Sequence, residues 1–87
     1  MHELSLVADL MRKVESIAAG ERAARVLEVR VRLGALAHIS PEHLRDHFAR
    51  AACGTVAQDA RLRVERSEDA RDPHAQEILL ESVTVAE

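Results

Sequence analysis

The first twenty residues carry the apolar spacing of an amphipathic helix. From Leu4 to Gly20, apolar residues recur at intervals of three and four, and charged residues largely occupy the opposite positions. This period predicts a helix that covers a core with one face. The predicted apolar positions are Leu4, Val7, Ala8, Met11, Val14, Ile17 and Ala18. Gly20 is the expected end of this helix.

The next segment changes from a helical period to a period of two. Its apolar residues are Leu27, Val29, Val31 and Leu33, and they alternate with Glu28, Arg30 and Arg32. Strict alternation predicts a strand with one apolar face. This is the clearest strand signal in the chain.

A second helix is predicted after Ser40. Ser40 is a suitable N-cap, and Pro41 fits the first helical position because a proline there loses no hydrogen bond. Ile39 and Leu44 have the spacing of a hydrophobic staple. The predicted buried stripe is Leu44, Phe48, Ala51 and Ala52, and Gly54 is expected to stop the helix near Cys53.

Two further strands complete the predicted fold. Residues 61–66 place Leu62 and Val64 on one face, and residues 78–85 are apolar and β-branched, with a change of parity that predicts a bulge near Ser82 or partial cover on both faces. Residues 67–76 are expected to form an exposed loop that makes these strands antiparallel neighbours. The sequence therefore predicts an α+β fold in the order α-β-α-β-β, with two helices packed on one face of a small three-stranded sheet.

A chain of 87 residues is expected to be one domain, over residues 1–87. Its composition excludes several functions. The formal net charge is −3 and Phe48 is the only aromatic residue, so we expect neither nucleic-acid nor membrane binding. No apolar run is long enough for a membrane span, and no secretory signal precedes the helix. Cys53 is the only cysteine, which fits a cytoplasmic protein without structural disulfides.

The most informative chemical feature is the opening Met1-His2-Glu3. The α-amine of Met1, the deprotonated amide of His2 and the imidazole Nδ1 of His2 would close adjacent five- and six-membered chelate rings around a metal. Planar nitrogen donors favour Ni(II) or Cu(II) over zinc. The alternative is that His2 is an ordinary polar residue at a chain terminus and that Glu3 only favours the start of a helix.

Other polar residues offer weaker candidates. His43 and His47 are four residues apart on the predicted helix and are able to share a metal, although both also suit a solvated helix edge. His38 and His74 lie in predicted loops and are candidates for a fourth nickel ligand. Cys53 is expected to be a small buried residue. No catalytic constellation or phosphate-binding loop is present in the sequence, so no enzyme activity is predicted.

The residues quoted above resemble the HypA/HybF family of hydrogenase nickel-incorporation proteins. The opening Met1-His2-Glu3 is similar to the hallmark of that family, and the resemblance continues along the chain. It includes the segments 29–34, 40–44, 54–55, 62–65 and 78–85, together with Phe48. The resemblance thus covers nearly the whole chain outside residues 67–76.

This resemblance implies a function in nickel delivery. Members of the family carry Ni(II) toward the large subunit of nickel–iron hydrogenase together with a HypB-type GTPase, and some also serve urease. By resemblance, His2 is the principal nickel ligand, Met1 to Glu3 supply further nitrogen atoms, and Glu3 tunes metal binding or partner contact. The family inserts a zinc-binding module with two Cys-x-x-Cys pairs where this chain has residues 67–76, so structural zinc is not expected here.

Two functional hypotheses follow from the sequence. The first is a nickel metallochaperone that binds Ni(II) at its N-terminus and delivers it for hydrogenase maturation. The alternative is a metal-independent protein-interaction module that keeps the family scaffold. Either a monomer or a homodimer is compatible with the small core and an unpaired sheet edge.

Overall fold

The computed structural model describes residues 3–87, with side chains from residue 5 onward, and has the predicted α-β-α-β-β order. Two helices pack on a three-stranded mixed sheet, which confirms the α+β fold. The elements are α1 (Glu3–Gly20), β1 (Arg25–Leu33), α2 (Pro41–Ala52), β2 (Arg61–Arg66) and β3 (Ile78–Ala86).

The helix ends follow the local sequence signals. The Ser40 hydroxyl oxygen accepts a hydrogen bond from the His43 backbone N–H at 3.2 Å, and Pro41 begins α2 as predicted. Gly54 follows α2 with a φ of 80°, which is a left-handed conformation that glycine adopts readily. After α1 the left-handed residue is Arg22 rather than Gly20, and the Ala23 N–H donates to the Ala18 carbonyl as in a Schellman motif.

The strand order differs from the predicted hairpin. The order in the sheet is β2-β1-β3, with β1 parallel to β2 and antiparallel to β3. The prediction that β2 and β3 are neighbours was therefore wrong. The physical reason is burial: Val29, Val31 and Leu33 are at most 1% exposed, so β1 takes the central position, while the charged β2 lies at an edge.

The segment between β2 and β3 crosses the C-terminal end of β1 instead of closing a hairpin. The Ser67 N–H donates to the Leu33 carbonyl at 2.9 Å, and the Gly34 N–H donates to the Glu77 carbonyl at 2.9 Å. Farther along, the Leu36 N–H donates to the Ala75 carbonyl at 2.7 Å. These bonds attach the crossing segment to the turn that follows β1.

A bulge in β1 changes which side chains face the core. The pairing of β1 with β3 shifts between Val26 and Glu28, so Val26 is buried and Leu27 is 42% exposed. The prediction that Leu27 belongs to the apolar face was wrong because the bulge reverses the alternation there. The second shift skips Glu81 in β3, which confirms the bulge predicted near Ser82.

The core contains most of the predicted apolar positions together with some that the pattern missed. Buried residues of α1 include Val7, Leu10, Met11, Val14 and Ala18, and those of α2 are Leu44, Phe48 and Ala52. Ala8, Ile17 and Ala51 are exposed, contrary to prediction, because they lie at the edges of their helical stripes. Cys53 is also exposed, since it caps the end of α2 instead of continuing its buried face.

The open face of the sheet carries charged side chains that pair across strands. Arg32 lies 3.7 Å from Glu65 of β2 and 3.5 Å from Glu81 of β3, and Arg63 lies 3.6 Å from Glu28. Each pair has at least one partner that is well exposed to solvent, and the separations are long, so each pair contributes little to stability. The face opposite the helices is therefore polar, as the alternation of β1 predicted.

Candidate metal site

The nickel ligands predicted from the sequence are Met1, His2 and Glu3. Met1 and His2 are outside the described residues, and Glu3 is the first residue of the helix, with its side chain likewise outside the description. The predicted roles of these three residues therefore remain predictions. Around the start of α1, side chains are described from residue 5 onward.

His47 of α2 lies against the early part of α1. It lines a cleft of about 380 Å³ together with Val7, Ala8, Arg50 and Ala51. His47 is half-buried, whereas His43, one turn earlier on α2, is exposed. The cleft thus presents one imidazole beside the second turn of α1.

Arg50 is the charged neighbour of His47 in this cleft. Its guanidinium Nη2 lies 3.1 Å from Oδ2 of Asp46, in an ion pair between residues four apart on α2. The pairing partly offsets the positive charge of Arg50. The other described residues that line the cleft are apolar.

His74 lies in the segment that crosses the end of β1. Its Nδ1 atom is 2.6 Å from Oε2 of Glu77, and the Asp72 carboxylate accepts a hydrogen bond from the His74 backbone N–H at 2.8 Å. The hydrogen bond with Glu77, followed by the charges of Glu77 and Asp72, raises the pKa of His74 above its usual value. His74 therefore has a local carboxylate partner.

A second groove lies on another side of α1, between that helix and the start of β3. It is lined by Asp9, Arg12, Lys13, Ser16, Ile17, Leu79 and Leu80. Asp9 lies 3.2 Å from Lys13 and 2.8 Å from Arg12, and hydrogen bonds from these two cations lower the pKa of Asp9. The charged groups on this part of α1, Asp9, Arg12 and Lys13, are thus paired with each other.

The remaining predicted candidates do not converge. His38 is exposed in the turn after β1, and Cys53 is exposed at the end of α2. Among the side chains that the structure describes, those of residues 5–87, no three histidine, cysteine or acidic groups lie closely enough together to hold a metal ion. Neither helix of this described part has the length and apolar character needed to cross a membrane.

The location of His47 is the feature that sequence reasoning missed. The spacing of His43 and His47 indicated a pair on one helix, but it did not show that only His47 borders α1. A local signal was present, because His47 lies between Leu44 and Phe48 at the margin of the buried stripe. Positions at such a margin contact the neighbouring helix with part of their side chain.

The fold is shared with a protein of known structure. The solution structure of the nickel metallochaperone HypA from Helicobacter pylori superposes with a TM-score of 0.80, covering 99% of this chain and 98% of that chain. The sequence identity is 19%, so this likeness establishes the fold alone.

Sequence comparison identifies the family. Residues 1–71 match the family model described as HypA, hydrogenase/urease nickel incorporation, metallochaperone. The chain is 42% identical over 65 residues to the hydrogenase maturation factor HypA of Methylocella silvestris and 41% identical over 64 residues to that of Archaeoglobus fulgidus. These matches cover 75% and 74% of this chain, and each spans 58% of the relative's length. The chain belongs to the HypA family, which confirms the resemblance seen in its sequence motifs.

Proposed function

We propose that this chain is a nickel metallochaperone that binds one Ni(II) at its N-terminus and delivers it for the maturation of nickel–iron hydrogenase. The observation that supports the proposal is the family match over residues 1–71, which includes the opening Met1-His2-Glu3. A chaperone requires no catalytic group. It requires a site that binds the metal and then releases it to a partner.

The chemistry of Met1-His2-Glu3 suits such a site. The Met1 amine, the His2 amide and the His2 imidazole provide three nitrogen donors within two residues, and such donors favour Ni(II) or Cu(II) in a planar arrangement. A fourth position remains for another donor or for a ligand of the receiving protein. Exchange at that position is a route for transferring the metal without any change of oxidation state.

The proposed partners come from the family resemblance. They are a HypB-type GTPase and the hydrogenase large subunit, with a urease maturation pathway as the other destination. The chain spans 58% of the length of the HypA relatives quoted above, so binding to these partners is a proposal for this chain. A purified-component pull-down with each partner, with and without Ni(II), tests them separately.

A nickel titration tests the metal-binding part of the proposal. The full chain with its native Met1 is titrated with Ni(II) by calorimetry and visible absorption, beside His2→Ala and a variant with extra residues before Met1. We expect one Ni(II) per chain and the absorption of a planar nitrogen site. Both changes should abolish this binding because each removes a chelating nitrogen.

The same titration distinguishes the interaction-module alternative. A wild-type chain that binds no nickel, or that binds it equally well after His2→Ala, would contradict the chaperone proposal. If such a chain still binds a maturation partner, the scaffold acts as a metal-independent interaction module. His38→Ala is titrated beside them because His38 is an exposed loop histidine and a candidate for the fourth ligand, and weaker binding in this variant alone would assign that position to it.

A further inference from the structure

The outer edge of β3 has no neighbouring strand within the described part of the chain. In the sheet order β2-β1-β3, both β2 and β3 are edge strands, and β3 pairs with β1 alone. The two edges differ in charge. In β2, Arg61, Arg63, Glu65 and Arg66 are charged, whereas the nine residues of β3 include one charged residue, Glu81. Because charged side chains protect an edge from pairing with another chain, β3 is the edge that is open to a further strand.

A groove follows this open edge, between the start of β3 and α1. This α1–β3 groove has a volume of about 530 Å³, and its apolar lining consists of Leu79 and Leu80 of β3 and Ile17 of α1. Ile17 is 42% exposed. A strand added beside β3 would direct every second side chain toward the helices, because side chains alternate along a strand. The groove therefore offers apolar contacts to the side chains of an added strand.

The α1 side of the groove carries an excess of positive charge. Among the described lining residues, Arg12 and Lys13 are cations and Asp9 is the one anion. Both cations pair with the carboxylate of Asp9, at 2.8 Å from Arg12 and 3.2 Å from Lys13. A single carboxylate offsets only one of the two positive charges. A ligand with an acidic side chain at this position would supply the second negative charge.

The acidic residues on the β3 side have partners of their own. Glu77 and Glu81 flank the two leucines of the groove in sequence. Oε2 of Glu77 lies 2.6 Å from Nδ1 of His74, and Oε2 of Glu81 lies 3.5 Å from Nη2 of Arg32 on the open face of the sheet. Neither carboxylate therefore offsets the positive charge beside α1.

We propose that the open edge of β3 and the α1–β3 groove bind an extended segment of a partner protein, which adds a fourth strand to the sheet and places an acidic side chain beside Lys13. Backbone hydrogen bonds to β3 attach the segment, and apolar side chains at alternate positions fill the groove. The binding requires neither nickel nor the N-terminal motif. It therefore applies equally to a nickel chaperone and to a metal-independent interaction module.

The charge distribution favours a different protein over a second copy of this chain as the source of the strand. A second copy would present its own β3, the apolar edge strand. The only acidic residue of that strand is Glu81, which is directed to Arg32 on the face opposite the helices. A second β3 thus lacks an acidic side chain for the cations of α1.

A peptide titration without metal tests the inference on the full chain. The probe is the synthetic peptide Glu-Thr-Val-Thr-Val-Thr-Glu with blocked ends, which as a strand places its valines and glutamates on one face. The comparison peptide has lysine in place of both glutamates. Backbone amide NMR shifts of the isotope-labelled protein locate each bound peptide and measure its Kd.

Two pairs of protein variants test the groove. Ile17→Ser removes an apolar contact, and Leu27→Ser is its matched control because Leu27 has the same exposed fraction, 42%, and lies in β1 outside the groove. Lys13→Glu reverses a charge of the groove. Its control is Arg45→Glu, because Arg45 is an exposed residue of α2 that does not line the groove. The thermal unfolding midpoint shows whether each variant retains the fold.

The expected result is specific to the groove and to charge. The acidic peptide should shift the amides of β3 and of residues 12–17, and leave those of β2 close to their free values. Ile17→Ser and Lys13→Glu should each weaken its binding at least about tenfold, while both controls bind like the wild type. The wild type should bind the lysine peptide at least about tenfold more weakly, and Lys13→Glu should reverse this preference.

Several results would overturn the inference. It is wrong if the acidic peptide binds the wild type with a Kd above about 1 mM, if the shifted amides lie in β2, or if both peptides bind equally well. It is also wrong if sedimentation of the chain alone shows a dimer that Ile17→Ser abolishes, because a second copy then occupies the edge. Since no nickel is present, these results leave the proposed nickel binding to its own titration.

Discussion

The backbone of Gly34 packs directly against the carbonyl group of Ala75, so a side chain at position 34 would overlap the Ala75 carbonyl oxygen. The same turn is hydrogen bonded to the crossing segment: the Gly34 N–H donates to the Glu77 carbonyl, and the Leu36 N–H donates to the Ala75 carbonyl. This contact attaches the link between β2 and β3 to the end of the central strand. It therefore allows β3 to begin beside β1.

Replacing Gly34 should destabilise the fold through this contact. Gly34→Ala would force the backbones of the two segments apart, and we expect the free energy of unfolding to fall by roughly 1–3 kcal/mol. Gly20→Ala is the matched control because nothing lies within 4 Å of its added methyl group. That change should instead stabilise α1 by about 0.5–1 kcal/mol. Urea unfolding monitored by circular dichroism measures both, and equal effects would contradict the packing argument.

The bulge in β1 predicts different costs for the same substitution at two leucines of one strand. Leu33 is 1% exposed and Leu27 is 42% exposed. Leu33→Ala should lower the free energy of unfolding by about 2–5 kcal/mol because it creates a cavity in the core. Leu27→Ala should cost no more than about 0.5–1 kcal/mol. A large loss at Leu27 would show that it faces the core, as the simple alternation indicated.

The His74–Glu77 pair predicts a pH-dependent contribution to stability. The pKa of His74 is raised in the folded chain, chiefly by the hydrogen bond with Glu77, so folding favours the protonated form. The stabilisation is fully present below the pKa of an unfolded histidine, near 6.5, and is lost as the pH rises through the higher folded pKa.

Substitution of Glu77 tests this linkage. In Glu77→Gln, the pKa of His74 measured by NMR titration should fall toward its ordinary value. The stability difference between the wild type and this variant should be larger at about pH 5.5 than at about pH 8.5. Glu68→Gln, in the same segment, is the control and should leave the pKa of His74 close to that of the wild type. An unchanged His74 pKa in Glu77→Gln would disprove the pairing.

Nickel binding at the proposed N-terminal site should weaken in acid. Forming the site displaces protons from the Met1 amine, the His2 imidazole and the His2 amide, so protons compete with the metal. Affinity should therefore be markedly lower at about pH 5.5 than at about pH 7.5, because the imidazole and the amine are protonated at the lower pH. Calorimetric titration in a non-coordinating buffer at both values measures the change. Equal affinities would show that other atoms bind the metal.

The sequence alone predicted the local elements of this protein well. The ends of α2 follow from Ser40-Pro41 and Gly54, and the limits of β2 follow from the alternation in residues 61–66. The bulge in β3 follows from the parity change near Ser82. Such signals are reliable because caps, turns and periodicity act through hydrogen bonds and side-chain directions of near neighbours. The HypA family assignment also came from the sequence, through Met1-His2-Glu3 and the motifs that follow it.

The arrangement of these elements was decided by tertiary structure. Strand order depends on which strand is buried most deeply. A local period does not encode the pairing between distant segments, so the predicted β2–β3 hairpin was wrong. The exposure of Leu27 depends on a bulge against β3, and the position of His47 depends on how α2 packs on α1. In each case the deciding contact joins residues far apart in the chain, and only the assembled core determines which of them meet.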